Sequence, residues 1–118
     1  MDLSVQELDN GITIVALRGR LDTVWAGEME ASFNTIAGAK RSVVLDLSGV
    51  SFLGSLGMRM FVQGGTTVLR RGGKFAILSP DPNITKVLKV ASIDSLIPIL
   101  HERTAALDAV LEALRSAS

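Results

Sequence analysis

The sequence predicts an α/β fold: a single domain with a mostly parallel open sheet of about five strands, an N-terminal hairpin and about four packed helices. Three observations predict it. Short apolar runs rich in β-branched residues alternate with segments of helical apolar spacing, the pattern of successive βαβ units. Asp9-Asn10-Gly11 lies between two apolar runs and is a hairpin signal ahead of the first such unit. Val43-Val44-Leu45-Asp46-Leu47 is a nearly continuous apolar run, as expected of a strand buried on both faces.

Taken in order, Leu3, Val5 and Leu8 start an edge strand, and residues 12–17 form its hairpin partner. Asp22 is a candidate N-cap for a helix that puts Trp25 or Ala26, Met29, Phe33 and Ile36 on one face and ends near Gly38. The central strand follows, then a short polar loop. A second helix starts at Ser55 and presents Leu56, Met60, Phe61, Val68 and Leu69. Gly64-Gly65 in its interior costs about 1 kcal/mol per glycine relative to alanine, so close packing on the sheet is expected there. Gly72-Gly73 makes a turn into the strand Lys74–Leu78. Asp81-Pro82 then reads as an N-cap followed by proline at the first helical position, with Ile84, Val87, Leu88 and Ala91 at helical spacing. Leu96-Ile97-Pro98-Ile99 is expected as a last short edge strand, and Leu107, Val110, Leu111 and Leu114 as the buried face of a final helix.

Composition narrows the function classes. The 118 residues suffice for one domain with one core, and 47% are hydrophobic. Lys plus Arg and Asp plus Glu number 12 each, so no net field draws nucleic acid or an anionic membrane surface. The absence of cysteine excludes disulfides, thiol catalysis and Cys-ligated metal, and suits a reducing compartment. Met1-Asp2-Leu3-Ser4 lacks the regions of a signal peptide, and no apolar run reaches membrane-spanning length. A cytoplasmic domain with no cofactor or metal of its own is expected.

The chemistry concentrates in the stretch from Asp46 to Arg59. Ser55 falls at the start of a helix, where serine commonly serves as a cap, and where free amides and the helix dipole also favour a phosphate. Asp46 within that stretch and Asp22 ahead of it could be read as a carboxylate pair for general acid–base work. Asp22 reads as a helix cap or a partner contact, and Asp46 as a residue bonding nearby backbone amides. An exposed Met58 beside Ser55 suits a protein interface, whereas Arg59 by default is solvated. Arg70, Arg71 and Lys74 read as a solvated helix end. A serine hydrolase would require Gly-x-Ser-x-Gly, but Leu53 stands in the first position. Its base would have to be His101, the only histidine. Gly54-Ser55-Leu56-Gly57 also lacks the lysine and spacing of a phosphate-binding loop.

Asp46-Leu47-Ser48-Gly49-Val50-Ser51-Phe52-Leu53-Gly54-Ser55-Leu56-Gly57-Met58-Arg59 resembles the signature of the STAS domain as found in anti-sigma factor antagonists. The likeness in order and spacing extends along most of the chain, so residues 1–118 are read as one STAS-like domain. The resemblance implies that Ser55 is a phosphoacceptor. It further implies an anti-sigma factor as partner, typically a serine kinase of the histidine-kinase-like ATPase fold, and a PP2C-type phosphatase that restores the unphosphorylated form. ATP and metal would belong to those partners. The expected partner surface comprises Asp22, Thr23, Ser51, Phe52, Gly54, Leu56, Gly57, Met58 and Arg59. Two residues depart from the family pattern: Gly54 stands where aspartate is frequent, and Leu56 where many members have a small hydroxyl residue. Those departures define the alternative, a non-switching STAS scaffold or transporter-accessory module in which Ser55 is only a cap.

Overall fold

The structure, a computed structural model, describes residues 2–79 and 81–116. Five strands form one sheet in the order β1-β2-β3-β4-β5: Asp2–Glu7, Thr13–Leu21, Ser42–Leu53, Lys74–Leu78 and Ile99–Leu100. β1 is antiparallel to β2, and every later pairing is parallel. The helices are α1 (Thr23–Ala39), α2 (Ser55–Arg70), α3 (Pro82–Val90) and α4 (Arg103–Ser116). The predicted element order and sheet type are those observed.

Sequential strand order dictates the layering. Right-handed crossovers that all step in one direction put their helices on the same face of the sheet. Accordingly α1, α2 and α3 share a core with Val15, Leu17, Val43, Leu45, Leu47, Phe75 and Ile77. The alternate residues of the same strands, among them Ile14, Val44 and Ala76, face Ala106 and Val110 of α4. The Ser42 hydroxyl donates to the Val110 carbonyl at 3.0 Å and ties α4 to β3. Both faces of the central strand are thus buried, as its apolar run demands. The side chain of Leu114 lies outside the described residues.

The N-terminal hairpin turns at Gly11, whose φ of 89° suits glycine, with Asn10 Oδ1 accepting from the Ile12 amide at 3.2 Å. In the loop from β4 to α3, Asp81 caps α3 by accepting from the Asn83 amide at 2.7 Å, with proline at the first helical position.

Several boundaries differ from the sequence reading. β2 does not stop at residue 17 but runs to Leu21, its pairing with β3 kept through two register shifts around Arg18, Gly19 and Arg20. β3 likewise has no polar loop after Leu47; it continues to Leu53. β4 pairs with β3 only as far as Asp46, so residues 47–53 go on with β2 alone as a two-stranded ribbon projecting past the sheet. Ser48, Gly49, Ser51 and Phe52 are exposed on that ribbon, which is why the sequence there looks like a loop. The last strand is Ile99–Leu100 instead of residues 96–99. A short 3-10 turn at Ile93–Ser95 precedes it, Leu96 is exposed, and the Pro98 carbonyl accepts from the Ile77 amide at 2.9 Å. Leu69 and Ala91, expected on buried helix faces, are exposed because each falls at a helix end.

Candidate functional site

The tip of the β2–β3 ribbon launches two helices side by side. Leu21 pairs with Leu53, and the Gly54 amide donates to the Leu21 carbonyl at 3.0 Å. One residue beyond each strand end stands the N-cap of a helix, Asp22 for α1 and Gly54 for α2. Two helix N-termini, each carrying about half a positive charge, therefore adjoin one another.

The two starts differ in one respect. Asp22 Oδ1 accepts from the Trp25 amide at 3.0 Å and satisfies one of the free amides in the first turn of α1. Gly54 has no side chain, and α2 has no side-chain cap. Its opening amides, at Leu56 and Gly57, are left for another acceptor. Ser55 is the first residue of α2, not its cap, and it is exposed. Its hydroxyl makes no hydrogen bond among the described residues. The capping role that serine commonly fills at a helix start is occupied here by Gly54.

The expected surface residues sort by exposure. Thr23, Ser51, Phe52 and Arg59 are exposed; Asp22, Gly54, Leu56 and Met58 are half-buried. Gly57 is buried, and a Cβ there would stand 2.7 Å from Leu21 Cδ2, so it packs α2 onto the ribbon and offers no contact surface. Leu56 and Met58 pack against the core. Met58 also lines, with Lys86, Val87, Val90 and Ala91, an apolar hollow of about 270 Å³ between α2 and α3.

Arg20, Val24 and Val90 were not visible as candidates in the sequence. The Arg20 guanidinium lies 4.5 Å from the centre of the Phe52 ring, and Phe52 Cε2 lies 3.4 Å from the point where a Cβ on Gly54 would sit. Val24 (70% exposed) and Val90 (79% exposed) are bare apolar side chains near the helix ends. Val24 and Val90 each lie off the apolar stripe of their helix, and an apolar residue off the stripe is a signal of this kind.

The enzyme readings lose their geometry. The register sets Asp46 opposite Ala16, six residues before Asp22, so the two carboxylates stand roughly 20 Å apart at about 3.3 Å per residue. Asp46 instead accepts from the Ser48 amide at 2.9 Å, the bond to a nearby backbone amide expected of it. His101 donates from Nδ1 to the Ser79 carbonyl at 2.9 Å, at the level of the sheet where β4 ends, well below the ribbon tip. Arg71 belongs to packing: it donates to the Ala37 and Lys40 carbonyls at the end of α1, at 3.2 and 2.9 Å. Among the described residues no group of three His, Asp or Glu side chains is arranged to hold a metal ion, and no helix is long and apolar enough to cross a membrane.

A three-layer α/β domain with two helix starts paired at the tip of a strand ribbon is a domain of the STAS type. The chain belongs to the STAS family, whose domain model matches residues 4–106. It is 26% identical over 115 residues to the Bordetella bronchiseptica protein BtrV, provisionally named an anti-sigma factor antagonist, covering 97% of this chain and 98% of that one. The crystal structure of an anti-sigma factor antagonist from Mycobacterium paratuberculosis superposes with a TM-score of 0.83 at 26% identity, over 92% of each chain. The phosphorylated form of the Bacillus cell fate determinant SpoIIAA has the same fold, with a TM-score of 0.67 at 19% identity over 88% of this chain and 96% of that one.

Proposed function

We propose that this chain is a switching anti-sigma factor antagonist. Unphosphorylated, it captures an anti-sigma factor that is also a serine kinase of the histidine-kinase-like ATPase fold, and so frees that partner's target. The kinase phosphorylates Ser55 and thereby releases itself, and a PP2C-type phosphatase resets the chain. ATP and metal reside in those enzymes.

The observation that carries the reading is Ser55 itself: exposed, outside the capping position, at the start of a helix whose first amides no side chain satisfies. Membership of the STAS family and the likeness to proteins named as antagonists support it. A phosphate adds about −1.5 to −2 charges at this point. The uncapped amides and the adjoining helix start accommodate that charge within the fold, while a partner packed on Phe52 and Thr23 meets it desolvated. A loss of about 2.7 kcal/mol weakens a complex roughly a hundredfold, which is enough for a switch. The non-switching alternative, a scaffold or transporter-accessory module, rests on the departures from the family pattern at Gly54 and Leu56.

Peptide mass spectrometry of the chain from its native host, across growth and stress, tests this. The expected result is phosphate on Ser55 with occupancy that changes with condition. Its absence in every condition, with kinase and phosphatase both expressed, overturns the switch.

A further inference from the structure

A cleft of about 610 Å³ between α3 and the His101 segment after β5 is lined by Pro82, Thr85, Lys86, Lys89, Val90 and His101. We infer that this cleft is a binding site for a small organic phosphate monoester: Lys86, Lys89 and His101 take the phosphate, and Pro82 and Val90 take an apolar body.

Lys86 and Lys89 stand three residues apart, so one turn of α3 presents both to the same side. Among the described residues the single ion pair is Lys40 with Glu7, so neither lysine has a carboxylate within pairing distance. Two neighbouring polar groups have partners of their own within the chain. Asp81 accepts from the Asn83 amide, and the Thr85 hydroxyl is held by the Ser79 and Asp81 carbonyls at 3.2 and 2.9 Å. In a chain of zero formal net charge, this is a local concentration of cations beside an opening.

His101 selects among anions. Because Nδ1 faces a carbonyl oxygen, it must carry its proton, which leaves Nε2 as the nitrogen available to a ligand. A phosphate monoester has a second pKa near 6 and so can meet either state of that nitrogen. It donates its own hydroxyl to a neutral ring, or accepts from a protonated one. A sulfate ester can do only the second. The volume lies within the roughly 300–1,000 Å³ typical of small-molecule sites, and far exceeds what a bare inorganic phosphate fills. The surplus is bounded by Pro82 and by Val90, which is 79% exposed. That combination favours a small amphipathic phosphate over an extended peptide.

Titration of the isotope-labelled chain with phenyl phosphate, followed by amide chemical shifts, tests the assignment, with phenyl sulfate as the comparison. Saturable shifts centred on Lys86, Lys89 and the Leu100–His101 segment are expected, with weaker binding of the sulfate. The double substitution Lys86→Gln, Lys89→Gln should weaken binding at least about tenfold, because both charge-assisted contacts are lost. It changes only exposed side chains, and an unshifted thermal melt checks that the fold is intact. Ser55→Ala should titrate as the parent does, which separates this site from the switch. No saturable shift, equal affinity in the double variant, or shifts centred on Thr23 and Ser55 would each overturn it. Tighter binding of a phosphoserine peptide, with shifts spreading beyond the cleft, would overturn the small-molecule assignment in favour of a protein ligand.

Discussion

Gly64 lies directly against Phe33: a Cβ on Gly64 would stand 2.2 Å from Phe33 Cε2 and 2.9 Å from Cζ. The next residue repeats the relationship on another side, since a Cβ on Gly65 would meet Ile97 Cδ1 at 2.7 Å. The glycine pair in the middle of α2 therefore gives up helix propensity so that α1 and the chain before β5 can close onto α2. Phe33 has no room to yield, because it packs against Phe61 and Phe75 with ring centres 6.2 and 6.3 Å away.

Gly64→Ala is accordingly expected to destabilise the domain, although alanine is the better helix former. The propensity gain is about 1 kcal/mol, whereas overpacking a filled core costs typically ~1–3 kcal/mol, and more when the obstructing ring is fixed. Chemical denaturation should show a lower midpoint with an unchanged slope. A midpoint at or above the parent's would mean that Phe33 repacks freely.

The contrast between Gly64 and Ser55 shows what a sequence of this kind reveals. The order of strands and helices, the Asn10-Gly11 turn and the Asp81-Pro82 start are local patterns and appear as expected, whereas the ends of β2, β3 and the last strand, and the exposure of Leu69 and Ala91, do not. The reason for Gly64-Gly65 is not local, since it resides in Phe33 and Ile97 some thirty residues away on either side. The ribbon was hidden for a different reason. Residues 47–53 have a neighbour on one edge only, and apart from Phe52 their open surface carries Ser48, Gly49 and Ser51, so a strand there has the composition of a loop. Once β2 and β3 are both seen to reach Leu21 and Leu53, Asp22 and Gly54 become neighbours. Arg20 then falls on Phe52, which no spacing rule could announce. Gly57 was grouped with the exposed surface because it is adjacent to Ser55 in sequence, but one turn of helix directs it at Leu21.

Gly54→Asp is expected to be tolerated and mildly stabilising. Gly54 has φ −93° and ψ 174°, an extended conformation open to any residue. A Cβ would sit in ordinary contact, 3.4 Å from Phe52 Cε2 and 3.5 Å from the Leu21 carbonyl oxygen. Aspartate supplies the cap that α2 lacks, which is worth only a few tenths of a kcal/mol over glycine. A rise in melting temperature of about 1–3 °C corresponds to that gain. The same carboxylate would compete with a phosphate for the opening amides, so phosphorylation of Ser55 should stabilise this variant less than the parent. Thermal melts of the four species, with and without phosphate, check both parts.

Asp22 serves α1 as a cap, and a pair of substitutions separates that from any contact with a partner. Asparagine caps about as well as aspartate, whereas alanine loses about 1 kcal/mol. Asp22→Asn should therefore melt like the parent and Asp22→Ala several degrees lower. If the charge of Asp22 also contacts the anti-sigma factor, both variants should lose affinity equally. Equal affinity of Asp22→Asn and the parent would confine Asp22 to the cap.

Phosphorylation of Ser55 should leave the domain folded and slightly more stable, while abolishing capture. The phosphate enters at the positive end of a sixteen-residue helix whose first amides lack a side-chain partner, and beside the start of α1. Negative charge in that position stabilises by about 0.3–1 kcal/mol. Arg59 stands four residues on, one turn along the same side of α2, and adds an attractive i, i+4 pair of about 0.2–0.5 kcal/mol. Against these, no acidic side chain occurs in the first turn of α2 to repel the phosphate. The melting temperature of the phosphorylated chain should therefore equal or exceed that of the parent, and Arg59→Gln should remove part of the gain without affecting the unphosphorylated form. Ser55→Asp should lose capture of the kinase partner while keeping a native melt, and Ser55→Ala should retain both. A phosphorylated chain that melts well below the parent would mean that the switch works by disrupting the fold and not by placing charge in an interface.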